Sequence, residues 1–168
     1  MKNKNIPTLA KAIRDIDCKM RIIGRLDAVQ AAMLEENKIE FEIAYDLSDE
    51  QMRNEYRRAD IVAFCSTYEG FGLPIIEAQA MRKPLITSNI SPMKETSGGA
   101  AFLADPHDVE SIRQGIQKII SDKNYRDKLI EAGIENIRRF EPDKVAKQYA
   151  VLYEKILSSE SACQEIRT

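Results

Sequence analysis

Glu69 and Glu77 stand eight positions apart in the run Tyr68-Glu69-Gly70-Phe71-Gly72-Leu73-Pro74-Ile75-Ile76-Glu77-Ala78. The apolar run Ile61-Val62-Ala63-Phe64 before them reads as a buried strand, and Pro74 to Arg82 reads as a helix. Between the two lies a glycine-bearing loop that delivers a helix N-terminus, where unpaired N–H groups and the positive end of the helix dipole suit a phosphate. Pro74 fits the first helical position, because its missing N–H is not needed there. Glu77 follows about one turn in, and helical side chains tilt toward the N-terminus, so its carboxylate can lean back over the loop. Glu69, on the loop itself, can face the same crevice. Two carboxylates beside a phosphate site suit a ligand that carries both a diphosphate and hydroxyl-rich sugars. The same pattern also has a purely structural account. An acid in the first turn complements the helix dipole by about 0.3–1 kcal/mol, and Gly70 and Gly72 serve a tight strand-to-helix turn.

The elements that must hold these residues can be read in order. Strand signals fall at Lys19 to Ile23, Glu40 to Ala44, Asp60 to Cys65, Pro84 to Thr87 and Ala101 to Leu103. Helical segments separate most of them: Ala28 to Glu36, Asp49 to Arg58 and Pro74 to Arg82. Ser48 with Gln51 forms a capping box before the second of these, whose apolar face is marked by Met52, Tyr56 and Ala59. Such alternation predicts an α/β fold, a Rossmann-like open parallel sheet with right-handed helical crossovers on both faces. Ligands of these sheets bind at the carboxyl ends of the strands, which is where the Glu69 to Gly72 loop lies. After Asp105 only helical stripes remain. The first is Val109, Ile112, Ile116 and Ile119 behind Asp108, and the second is Tyr125, Leu129, Ala132 and Ile137, ending near Phe140. The third is Val145, Tyr149, Leu152 and Ile156. All three are expected to pack in the core, and residues 158–168 to form a tail. The chain opens on a helical segment, Ile6 to Ile16, with no strand before it, as if it started within a domain.

Composition narrows the function classes. At 168 residues, 43% hydrophobic, 31% charged and net charge −2, the chain has the profile of one globular domain, with no broad basic face for nucleic acid. Cys18, Cys65 and Cys163 are far apart, which fits reduced thiols of a cytoplasmic protein and neither a disulfide frame nor a zinc site. No apolar stretch reaches the ~20 residues that span a membrane. His107, the only histidine, sits between Asp105-Pro106 and Asp108 and reads as an exposed turn residue.

The run Glu69 to Glu77 resembles the Glu-x7-Glu motif of the retaining glycosyltransferases of family 4, which have the GT-B fold. The resemblance runs in order from about Lys4 to Leu157. It takes in Lys4-Asn5-Ile6-Pro7, Leu47-Ser48-Asp49-Glu50, Tyr56-Arg57-Arg58-Ala59-Asp60, the run from Thr87 to Glu95, Gly98-Gly99-Ala100-Ala101, Asp105-Pro106 and Arg139-Phe140. It implies the C-terminal, donor-binding domain over residues 1–157, without its first strand and without the N-terminal acceptor-binding domain. It further implies that Glu77 holds the ribose hydroxyls of a nucleotide-sugar. Glu69 faces the donor sugar, and Phe71, Gly72 and Leu73 offer N–H groups to sugar and diphosphate. Lys4 neutralises the diphosphate leaving group, so that no metal and no cofactor is required. Two positions depart from the family pattern: Cys65 replaces a usual proline, and Tyr45 replaces a common glycine near the nucleobase pocket.

The expected protein is therefore a hexosyltransferase of polysaccharide biosynthesis with a glycan or lipid-linked acceptor, at work in the cytoplasm or at the inner membrane face. The fragment alone is expected to be inactive, and its uncovered cleft face favours an artificial dimer. Ser88, Asn89 and Glu95 are either ligand neighbours or turn residues. Two other readings compete: a non-catalytic nucleotide-binding or assembly module, and half of a sugar-nucleotide epimerase on the same scaffold. A phosphoacceptor receiver domain is disfavoured, because the third strand ends in Cys65-Ser66-Thr67 where acids would be needed.

Overall fold

The computed structural model describes residues 2–165, in which strands and helices alternate from Ile6 to Ala104. β1 (Met20–Ile23) pairs in parallel with β2 (Phe41–Ala44). β3 (Val62–Phe64), β4 (Leu85–Ser88) and β5 (Phe102–Ala104) form a second parallel ladder with β4 in the middle. All five strands fall where the sequence places them. The open sheet is, however, divided: among the described residues no ladder joins β1 to β3.

Helices cover both faces. On one side α1 (Ile6–Ile13) and α6 (Val109–Ser121) pack Ile6, Leu9, Ile112 and Ile116 against Ile22, Cys65 and Ile86. On the other, α3 (Asp49–Arg58), α4 (Leu73–Ala80) and α5 (Met93–Ser97) bring Tyr56, Ile75, Ala78 and Met93 onto Phe64 and Leu85. Neighbouring residues of β4, Leu85 and Ile86, serve opposite cores because successive strand side chains point to opposite faces. All four residues of β4 are buried, as a strand paired on both edges and covered on both faces requires. α2 (Ala28–Glu36) and α3 each begin with a complete capping box, Asp27 with Gln30 and Ser48 with Gln51.

α7 (Lys123–Ile137) leads through a 3-10 turn, Arg138–Phe140, into α8 (Pro142–Glu165). Here two expectations change. The helix continues well past residue 157, where a tail is expected, although residues 166–168 lie outside the described residues. And the α8 stripe is not core: Tyr149, Leu152 and Ile156 are exposed, because α1 and α6 on one face and α3, α4 and α5 on the other already cover the sheet. Among the described residues no helix is long and apolar enough to cross a membrane.

Candidate functional site

The loop from Cys65 to Gly72 leaves the carboxyl end of β3 and enters α4 one residue earlier than expected, with Leu73 as the first helical residue. Gly72 takes a left-handed conformation there (φ 93°), and a Cβ on it would meet Ile75 Cδ1 at 3.0 Å. The left-handed backbone favours glycine at this turn, and any Cβ would also need the Ile75 side chain to give way. Gly70 has open space around it, so sterics alone do not demand glycine at that position. Pro74 brings no N–H and the Ile75 N–H is committed to Gly72 O at 2.9 Å, so the N–H groups of Gly72 and Leu73 precede the first bond of the helix. The loop is anchored from α5 by the Thr96 hydroxyl, which donates to Phe71 O at 2.8 Å. The Phe71 ring also rests edge-on against Phe140 at 5.7 Å.

Glu69 is held at the other end of the loop. Its Oε1 accepts from Lys4 Nζ at 2.6 Å and from Asn3 Nδ2 at 3.1 Å. Lys4 Nζ also sits 4.8 Å from the centroid of the Phe64 ring. The segment carrying Lys4 is fixed by its backbone, since the Thr67 N–H donates to Asn3 O at 2.8 Å. Buried Asn5, at the N-cap of α1, adds side-chain donation to Cys65 O and Pro106 O. The structure thus joins Lys4 and Glu69, residues the sequence assigned to different parts of a ligand, into one partly buried ion pair.

Glu77 lies exposed on α4, and its Oε2 accepts from the Tyr56 hydroxyl at 2.7 Å. Burial, and then the bond to Glu77, push the Tyr56 pKa well up, so this hydroxyl stays a donor. Burial also pushes the Cys65 thiol up to about 12, which makes it an inert core residue. Tyr45 stands half-exposed beyond β2 under the Arg25 guanidinium, 4.3 Å from the ring centroid, and Arg25 is ion-paired with Asp46. Gly24, Arg25, Tyr45, Asp46, Leu47 and Met52 line an open concavity. No hydrogen bond links Tyr45 to the Glu69–Glu77 group among the described residues. α3 runs between the two, with Met52 in the concavity and Tyr56, one turn on, at Glu77.

The remaining candidates are used internally. The Ser88 hydroxyl donates to Ser66 O, the Asn89 N–H donates to Ala104 O, and Glu95 lies in the first turn of α5. The His107 N–H is capped by Asp105 in an exposed turn. The Cys163 side chain lies outside the described residues. Among the described residues no group of three or more His, Cys, Asp or Glu is placed to hold a metal ion. Asn3, Arg25, Tyr56 and Thr96 touch the site without having been singled out for it. For Tyr56 a signal was present, because a tyrosine buried in an apolar stripe brings a hydroxyl that must find a partner.

With this geometry in hand, relatives are informative. Over 92 residues the chain is 35% identical to the O-antigen chain mannosyltransferase B of Escherichia coli, a match taking in 55% of this chain and 24% of that protein. The sucrose-phosphate synthase of Thermosynechococcus elongatus superposes with a TM-score of 0.82 at 24% identity, over 95% of this chain and 44% of that one. The Anabaena protein HepE, solved in complex with UDP-glucose, does so with a TM-score of 0.79 at 20% identity, over 92% and 46%. The chain thus spans less than half the length of each of these relatives, and the two superpositions establish the shared GT-B-type α/β fold. Residues 1–136 match the family described as glycosyl transferases group 1, so that most of the sequence is covered and the chain belongs to that family.

Proposed function

We propose that this chain is the donor-binding half of a retaining glycosyltransferase that moves a sugar from a nucleotide-sugar to a glycan or lipid-linked acceptor. The observation that carries the reading is the pair of carboxylates at the head of α4, one bonded to Lys4 and the other to Tyr56, on either side of the Gly72–Leu73 N–H groups. Glu77 accepts hydrogen bonds from the ribose diol, and the N–H groups of Phe71, Gly72 and Leu73 meet the sugar and diphosphate. Lys4 balances the charge that builds on the diphosphate as the glycosidic bond breaks, so no metal ion or cofactor is assigned. Glu69 orients the donor sugar through its hydroxyls and stabilises charge near the anomeric carbon, without forming a covalent bond. Tyr45, with Arg25 over its ring, forms a wall of the nucleobase pocket. The UDP-glucose bound by HepE and the mannosyltransferase activity named for the Escherichia coli relative support a nucleotide-sugar donor.

The acceptor and the remaining catalytic contacts belong to a second domain, so the 168-residue chain binds donor weakly and turns over little. The setting is the cytoplasm, at the inner membrane face for a lipid-linked acceptor. Calorimetry of the chain with a panel of nucleotides and nucleotide-sugars tests the core of this reading. Binding by at least one of them, weakened in Glu77→Ala, is expected, and equal heats for both proteins across the panel would refute the ribose assignment.

A further inference from the structure

Tyr56 lies on the inner face of α3, 8% exposed, among Phe64, Ile75, Ala78 and Leu85. A phenylalanine would fill this space equally well, so the hydroxyl needs its own explanation. Its partner is Glu77 Oε2 at 2.7 Å, and this is the only hydrogen bond the Glu77 side chain makes among the described residues. Glu77 itself is exposed on α4, where a free glutamate would sample many rotamers. The bond engages one carboxylate oxygen, and among the described residues no hydrogen bond occupies Oε1 of this exposed side chain. One turn earlier on the same helix face, Met52 lines the concavity beside Tyr45 and Arg25. α3 therefore connects the two places where a nucleoside would present its base and its ribose.

Resting on the assignment of Glu77 to the ribose, we propose that Tyr56 is a positioning residue that pre-sets the Glu77 carboxylate to receive a vicinal diol. Order imposed before binding need not be imposed by the ligand, and the gain falls on affinity for the diol alone. Burial keeps the hydroxyl protonated, so it stays a donor to Glu77.

The test compares ribonucleoside 5′-diphosphates with their 2′,3′-dideoxy counterparts by ligand-observed NMR on the 168-residue chain, taking the ratio of their affinities. The wild type should prefer the ribose form. Tyr56→Phe should shrink that preference roughly five- to tenfold, the size of one hydrogen bond, with dideoxy binding held within about twofold. In a Glu77→Gln background the same change should do nothing further. If Glu77→Gln removes the preference while Tyr56→Phe leaves it intact, the positioning role is overturned and the ribose assignment stands. Loss of both ligands in Tyr56→Phe means a structural role only, and also overturns it. No preference in the wild type, an unchanged one in Glu77→Gln, or no binding of any nucleotide overturns the ribose assignment and this inference with it.

Discussion

Lys4 is the residue whose surroundings most sharpen its chemistry. It is one-third exposed, gripped by Glu69 at 2.6 Å and backed by the Phe64 ring, so its ammonium is aimed before any ligand arrives. A diphosphate would share this cation with Glu69, and the pair would then link the leaving group to the donor sugar. Being partly buried, the pair is less screened than a surface ion pair. Lys4→Ala is expected to lower affinity for a nucleoside diphosphate about tenfold, in line with a charged hydrogen bond, and to leave the free nucleoside unaffected. Titration of both ligands by calorimetry checks this, and an equal loss for the two would remove Lys4 from the phosphate site.

At the scale of elements, two junctions hold the site in place. The first is the β3–α4 turn, where Gly72 sits at φ 93° with Ile75 Cδ1 3.0 Å from any added Cβ. Gly72→Ala is expected to cost about 1–2 kcal/mol from the left-handed backbone alone, visible as a fall in melting temperature together with weaker nucleotide binding. The second junction ties β1 to α3 through Arg21, which grips Glu55 with bonds of 2.9 and 2.7 Å and also reaches Glu42 at 3.0 Å. The bond to Arg21 holds the Glu55 carboxyl below its usual value of 4.5. A carboxylate with a depressed folded pKa contributes stability above its unfolded pKa and loses it as the pH falls. Thermal melts of Glu55→Gln should therefore lie below wild type at neutral pH, with the gap closing under acid. A gap that stays constant with pH would show that the ion pair contributes nothing.

Across the whole molecule, the exposed side of α8 stands apart. Tyr149, Leu152, Tyr153 and Ile156, at steps of three, one and three, present apolar surface to solvent along one side of this helix. A contiguous apolar face of this kind favours burial against another surface. For the isolated chain the expected outcome is association that grows with concentration, measured by sedimentation velocity and reversed by Leu152→Glu. A monomer at every concentration would sink the expectation.

How much of this could be read without coordinates depends on the range of the interaction. Strand positions, the Ser48–Gln51 capping box, the buried stripe of α6 and the turn before α4 were legible, because each rests on periodicity or on the backbone needs of a few neighbouring residues. Glu69 and Glu77 stood out by spacing alone. The division of the sheet into two ladders was not legible, nor was the exposure of the α8 stripe. An amphipathic pattern states that a face needs covering and not whether a partner is present. The partners of the two glutamates were equally hidden: Lys4 lies 65 positions from Glu69, and Tyr56 lies 21 from Glu77. The sequence alone determined that two carboxylates stand at the head of a helix. Tertiary packing decided which cation and which hydroxyl hold them, since contacts between distant segments form only when α1 and α3 close onto the two faces of the sheet.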